Sequence, residues 1–147
     1  MLAEIETDLI AHIKASALGG RLRDVDGLPD LDGESLVSRF AANPPAVYLA
    51  PASFQIESHC ARLRFGLACV ARNSRGQGSA RRGDGAIGPV GLYEMLETMA
   101  ALFDDALVAK SSWKATRVDF MNDEALYKAG ITVGIVQIET RVKMFTI

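Results

Sequence analysis

The sequence predicts an α+β fold, a mainly antiparallel or mixed sheet with two long helices packed on one face. Residues 2–17 and 90–109 place apolar side chains at helical spacing. Residues 59–71 and 131–145 alternate apolar and polar side chains, as half-exposed strands do. Because predicted strands follow one another directly along the chain, antiparallel hairpins are favoured, with the two long helices on one face.

The first half of the chain contains two shorter predicted strands and a short helix. Residues 21–25 alternate and predict a strand, and Asp32 is a typical cap for the amphipathic helix that follows. Pro44-Pro45 ends that helix because neither proline continues one. Residues 46–50 form an apolar run typical of a buried strand, which Pro51 is expected to end.

The strand predicted over residues 59–71 has one apolar and one basic face. The apolar face contains Leu63, Phe65, Leu67 and Cys69. Arg62 and Arg64 alternate with them and lie on the opposite face. We therefore expect these two arginines to face solvent or a partner.

The C-terminal part predicts two more strands. Residues 113–120 form one, followed by a polar turn around Asn122-Asp123, and residues 131–145 form the other. In the last strand, one face contains Val136, Ile138, Val142 and Met144, and the other contains Gln137, Glu139, Arg141 and Lys143. Trp113 fits burial against the helices and partial exposure at an interface equally well, since tryptophan is common in both settings.

Length and composition fit one domain, residues 1–147, with 49% hydrophobic and 23% charged residues. The formal net charge of −2 argues against a general nucleic-acid binder, which usually has a strongly basic domain. No apolar run approaches the ~18 residues of a membrane span. The N-terminus is acidic and amphipathic rather than a signal peptide, so cytoplasmic synthesis is the default expectation.

Neither a metal nor a cofactor is predicted. Cys60 and Cys69 are separated by an odd number on one strand, so they point to opposite faces and are not expected to form a disulfide. His59 lies next to Cys60, but adjacent strand residues diverge and the sequence provides no third ligand. No nucleophile–base pair or other enzyme signature is visible either.

Residues 72–89, "RNSRGQGSARRGDGAIGP", predict a flexible loop rich in glycine and arginine. Gly83, Gly85 and Gly88 spell G-x-G-x-x-G, but no strand runs directly into them, as a dinucleotide fingerprint requires. The alternative phosphate loop between Gly78 and Gly83 lacks the following lysine and hydroxyl residue.

The favoured interpretation of this loop is a cationic arm that contacts a larger acidic partner. Its basic residues are Arg72, Arg75, Arg81 and Arg82. A solvated hairpin extension without a partner remains an alternative. Contact with nucleic-acid phosphates is a weaker one, because the loop offers no aromatic side chain for base stacking.

Four stretches of the chain together resemble the Mu-like phage and prophage tail protein family that is associated with the tail terminator. They are "MLAEIETDLIAHIKA", "PPAVYLA", "ARNSRGQGSARRGD…GLYEMLETMAALF" and "ITVGIVQIETRV", which occur in this order over nearly the whole chain. The most specific piece is the arginine-rich loop followed by G-x-Y-x-x-L at Gly91, Tyr93 and Leu96.

The resemblance implies a tail-terminator fold and a homo-oligomeric ring, expected to contain six copies, without a reaction or a cofactor. Such a ring would cap the tail tube, stop its polymerisation, hold the sheath end in a contractile tail and present a surface to the head–tail connector. The implied location is the host bacterial cytoplasm during assembly and then the virion tail. The proposed protein contacts are Arg72, Arg75, Arg81 and Arg82 of the loop, with Arg62 and Arg64 of the sheet. Alternatives are another head–tail completion or minor tail protein, or a nucleotide- or nucleic-acid-binding protein that uses the loop.

Overall fold

The computed structural model describes residues 2–28, 33–73, 77–83 and 90–143, except the side chains of 33–35 and 77. These residues form a six-stranded mixed sheet in the order β1-β2-β3-β6-β5-β4, together with five helices. The strands are β1 Asp24–Gly27, β2 Ala46–Glu57, β3 Cys60–Arg72, β4 Ala106–Val108, β5 Ser111–Met121 and β6 Ile131–Lys143. The helices are α1 Leu2–Lys14, α2 Gly33–Ala42, α3 Gln77–Arg82, α4 Leu92–Leu102 and α5 Glu124–Lys128.

The sheet is antiparallel except at one edge. β1 pairs with β2 in parallel, and only over the first four residues of β2, from Ala46 to Leu49. β2, β3, β6 and β5 then pair antiparallel in succession. β4 pairs antiparallel with only the first three residues of β5, from Ser111 to Trp113. The predicted α+β class is confirmed, and the sheet is mixed.

The structure corrects several predicted boundaries. α1 ends at Lys14 rather than at residue 17, and β1 spans Asp24–Gly27 rather than residues 21–25. β2 does not end at Pro51 but continues to Glu57, because a register shift between Pro51 and Ser53 accommodates the proline. The helix predicted to reach residue 109 ends at Leu102, and β4 occupies part of the remainder. The polar turn predicted at Asn122-Asp123 leads into α5, where the Asp123 carboxylate accepts hydrogen bonds from the backbone N–H groups of Ala125 and Leu126.

The larger hydrophobic core lies on the side of the sheet where α1 and α4 pack. The buried helix residues are Ile5, Leu9 and Ile13 of α1 with Leu92, Met95, Leu96 and Met99 of α4. They join the apolar side chains that the alternation of β3 and β6 predicts, including Leu63, Phe65, Leu67, Cys69, Val136, Ile138 and Val142. The predicted faces of these two strands are therefore confirmed, except that Met144 lies outside the described residues.

A second, smaller core lies on the opposite side of the sheet. Phe40 of α2 and Leu126 of α5 pack there with Tyr48 and Val70. α1 and α4 pack on one side of the sheet but contain only 13 and 11 residues, and α2 and α5 cover the other side. The predicted packing of two long helices on one face is therefore not confirmed.

Trp113 is fully buried. Its Nε1 donates a hydrogen bond to the Val108 carbonyl oxygen at 3.1 Å, and its ring centroid lies 6.0 Å from that of Phe65. Of the two settings that the sequence left open for this residue, the structure therefore has burial. Cys60 is half-buried and Cys69 is buried, and both thiols are free.

Candidate interaction surfaces

Part of the predicted flexible loop is a helix. Residues 77–82, "QGSARR", form α3, and Ala80 on it is buried. The prediction of a stretch without regular structure is therefore wrong for these residues, because six residues with one glycine give no readable helical period. Residues 74–76 and 84–89, with Arg75 among them, lie outside the described residues.

Gly91 allows the C-terminal end of α3 to lie directly against the start of α4. A Cβ atom at Gly91 would lie 2.5 Å from the Arg82 carbonyl carbon and 2.7 Å from the Arg81 carbonyl oxygen. Gly91 is the N-cap of α4 and has a φ of −82°, which any residue can adopt. The glycine is therefore required for space rather than for its backbone conformation.

The described arginines of the predicted arm lie in different settings. Arg72 is exposed at the end of β3, and Arg82 is exposed at the end of α3. Arg81 is half-buried and lines a cleft with aromatic side chains. The arm arginines that the structure describes therefore lie on regular elements, Arg72 on β3 and Arg81 and Arg82 on α3.

This cleft, here called the aromatic cleft, has a volume of about 560 Å³ and lies between α3, α4, β5 and α5. Its lining includes Tyr93, Phe120 and Tyr127 together with Arg81 and Asp123. The rings of Tyr93 and Phe120 meet edge to face, with centroids 6.4 Å apart. The three aromatic side chains are 43%, 54% and 67% exposed, so the cleft offers apolar area beside a cation.

The open face of the sheet that contains Arg62 and Arg64 is not a free basic surface. Glu139 Oε1 accepts a hydrogen bond from Arg64 Nε at 2.9 Å and forms an ion pair with Arg62 Nε at 3.4 Å. Glu57 forms ion pairs with Arg62 and Arg141. The alternation had placed Glu139 on the same face, but only the register of β3 against β6 brings Arg64 opposite it. The two arginines are half-buried, and carboxylates compensate their charge.

A second polar cluster lies where β1 meets α2. The Tyr48 hydroxyl donates a hydrogen bond to Asp24 Oδ2 at 2.9 Å, and Arg39 forms ion pairs with Asp24 at 3.2 Å and Asp26 at 3.6 Å. Burial, followed by the hydrogen bond to Asp24, raises the pKa of Tyr48 to about 12. The arrangement holds the hydroxyl protonated, which makes it a structural link between β1 and β2.

The glycine motif of the loop lacks the setting of a nucleotide site. Gly83 has a φ of 77° and ends helix α3, whereas a dinucleotide loop follows a strand; Gly85 and Gly88 lie outside the described residues. Over the described ranges, no group of three or more His, Cys, Asp or Glu side chains is placed to bind a metal ion. No described helix is long and apolar enough to cross a membrane.

The sequence interpretation missed the exposed apolar side chains of β2 and β5. Phe54 and Ile56 of β2 are 37% and 66% exposed, and Val118 and Phe120 of β5 are 41% and 54% exposed. The signal was present in β5, where Val118 and Phe120 alternate with Arg117 and Asp119. In β2 the signal was hidden, because Pro51 was expected to end the strand before these residues.

Comparison with known proteins places the chain in a family. The profile of the family described as "Bacteriophage Mu, Gp37" matches residues 1–133. The "Mu-like prophage FluMu protein gp37" of Haemophilus influenzae is 36% identical over 113 residues, which cover 76% of this chain and 54% of that protein. The chain thus spans about half the length of this relative. The protein belongs to the bacteriophage Mu Gp37 family, a family of Mu-like phage proteins.

Proposed function

We propose that this protein is a structural phage protein, namely a tail terminator. Six copies form a ring that caps the finished tail tube, stops polymerisation of tube and sheath, and presents the surface to which the head joins. Its partners are further copies of itself, the tail tube protein, the sheath protein of a contractile tail and the head–tail connector. It assembles in the host bacterial cytoplasm and remains in the virion tail.

The observation that carries this proposal is membership of the Mu Gp37 family over residues 1–133. Membership of a phage family favours a role as a structural component of the phage particle. The relative from Haemophilus influenzae is named as a Mu-like prophage protein. The residues of the G-x-Y-x-x-L motif also pack α4 against neighbouring elements of this chain. Gly91 lies against the backbone at the end of α3, the Tyr93 ring contacts that of Phe120 on β5, and the Leu96 side chain packs over Gly134 of β6.

The surfaces of the chain support a role in protein contacts. The aromatic cleft places Tyr93, Phe120 and Tyr127 beside Arg81. Tyrosine, phenylalanine and arginine are enriched at the centres of protein interfaces and supply much of their binding energy. A ring that binds a tube needs contacts of this kind both between its copies and with its partner.

The first test is the native mass, measured by light scattering over a concentration series and accompanied by negative-stain images of the largest species. The proposal predicts a closed ring with a central hole and a mass of six chains. A chain that stays monomeric at every concentration, and also leaves polymerising tube protein unaffected, would contradict it.

A further inference from the structure

Two strands of the sheet have long edges that no described strand covers. β1 pairs with β2 only from Ala46 to Leu49, and β4 pairs with β5 only from Ser111 to Trp113. Among the residues that the structure describes, no strand pairs with the outer side of residues 53–57 or 117–121. We call these segments the β2 edge and the β5 edge. Uncovered backbone N–H and C=O groups on such edges are a ready template for pairing with another chain.

The two edges lie at opposite lateral margins of the sheet, because β3 and β6 separate β2 from β5. They therefore form two different surfaces of one chain. A contact between different surfaces of successive copies is heterologous, which is the kind that closes into a ring. Neither edge needs to pair with itself.

Both edges place their apolar side chains on the same side of the sheet. Phe54 and Ile56 are in register with Leu63 and Ala61 of β3, which face the larger core. Val118 is in register with Val136 of β6, which faces that core as well, and Phe120 alternates with it on the same side. If the sheet continued from one copy into the next, the apolar sides would therefore coincide.

The directions of the strands also agree. β2, β3, β6 and β5 are successively antiparallel, so β2 and β5 run in opposite directions. Copies related by rotation about an axis roughly parallel to the strands keep their strand directions. The β2 strand of one copy would then run antiparallel to the β5 strand of the next. The β2 edge lies beside residues 60–64 of β3, and the β5 edge lies beside residues 133–137 of β6, so the two edges are offset along the strands. In a closed ring they would meet if the strands were tilted from the ring axis, as strands are in a closed sheet.

The side chains favour one antiparallel register over the slip that sets Ile56 opposite Phe120. With Ile56 opposite Val118, Phe54 faces Phe120 and Glu57 faces Arg117. Aromatic pairs and opposite charges that face each other across strands are both favourable. A slip of two residues that sets Ile56 opposite Phe120 brings Glu57 opposite Asp119, which places like charges together. The Arg117 side chain is 68% exposed, and its ion pair with Asp119 is made through Nε.

We propose that copies of this chain associate head to tail through antiparallel pairing of the β2 edge of one copy with the β5 edge of the next, with Ile56 opposite Val118. The proposal rests on the ring of the proposed function and assigns its interface. The pairing covers Phe54 and Ile56 with Val118 and Phe120 and extends the sheet from copy to copy.

The test is disulfide cross-linking of the full chain in a Cys60→Ser background, which removes the half-buried thiol near the β2 edge. A chain with both Ile56→Cys and Val118→Cys is oxidised at high concentration and separated on a non-reducing gel. We expect a ladder of covalent oligomers that ends at the number of copies in the ring. Each single variant alone should stay monomeric, and an equal mixture of the two should give dimers only.

Register and specificity have their own controls. Ile56→Cys with Phe120→Cys should cross-link at least about fivefold less, since the two Cβ atoms would lie beyond disulfide reach. Ile56→Lys should lower the native mass to that of one chain. Leu107→Lys, at a residue 76% exposed on β4 and outside both edges, should leave the native mass unchanged.

Three outcomes would overturn the interface. Dimers of Ile56→Cys alone would show a two-fold contact between β2 edges, and a stronger ladder from the slipped pair would show another register. A ring by native mass without any ladder would reject the interface and leave the proposed function standing. Conversely, a ladder from a protein that fails to limit tube length would support the interface and reject the terminator.

Discussion

The backbone of Gly91 lies so close to Arg81 that a Cβ atom on the glycine would stand 2.7 Å from the Arg81 carbonyl oxygen. Gly91 begins α4 and Arg81 is near the end of α3, so this contact fixes the arginine-bearing helix on the body of the protein. It gives a physical reason for the glycine that begins the G-x-Y-x-x-L motif.

Gly91→Ala is expected to displace α3 and destabilise the protein by about 1–3 kcal/mol, the usual range for forcing an atom into a packed contact. Urea unfolding measures the stability, and hydrogen exchange measures the protection of the α3 amides, which should fall. Gly20→Ala is the control, because a Cβ there would meet nothing within 4 Å. Equal stability of the two variants would contradict the close contact.

Arg81→Glu with Arg82→Glu is expected to abolish capping of the tail tube while leaving the fold intact, because the two arginines are proposed to contact the tube or a neighbouring copy. Tube length in the presence of the variant, measured by electron microscopy, should match that of tubes assembled without the protein. Lys128→Glu on α5, where the side chain is 74% exposed, is the matched control and should cap normally. Normal capping by the double variant would remove α3 as the contact.

The ion pair between Arg64 and Glu139 should contribute more to stability than a fully exposed pair. Its side chains are only 35% and 25% exposed, whereas Lys128 and Glu124 are 74% and 83% exposed. Double-mutant cycles with glutamine replacements should give a coupling of about 1 kcal/mol for the first pair and at most about 0.5 kcal/mol for the second. Equal couplings would mean that the open face is as well solvated as the helix surface.

Tyr48 should make the protein lose stability in alkali. Its pKa is raised from 10.0 to about 12 in the folded chain, so its contribution is complete below pH 10 and is lost as the pH rises toward 12. Between pH 9 and 11 the loss from this group should be about 1 kcal/mol. Burial raises the pKa of the Cys69 thiol as well, so the two groups act in the same direction.

Tyr48→Phe separates the two contributions. The variant should be less stable at neutral pH by about 1 kcal/mol, since the hydrogen bond to Asp24 is lost. Its free energy of unfolding should fall less steeply between pH 9 and 11 than that of the unaltered protein. Parallel pH profiles for the two proteins would show that Tyr48 ionises alike in the folded and unfolded chains.

Local patterns predicted the parts of this fold that depend on one element at a time. The alternation in β3 and β6 identified which side chains face the core, and it placed Arg62 and Glu139 on the same open face. It did not show that they pair, because an ion pair between residues far apart in the chain depends on the register between two strands.

The missed elements are short or interrupted. α3 and α5 contain six and five residues, which is less than two helical turns. Helices this short are stabilised by tertiary contacts, and they are too short to show a helical period in the sequence. The second half of β2 follows a proline that a register shift accommodates. As a result, Phe54 and Ile56 were left out of the candidate surfaces, although they lie on the strand edge that the further inference uses.

The most direct test of the terminator role is the length distribution of tail tubes assembled from purified tube protein, with and without this protein at a low molar ratio. The account predicts shorter tubes and one ring-shaped cap at the end of each tube. Tubes of unchanged length without end caps, formed in the presence of a folded protein, would contradict it.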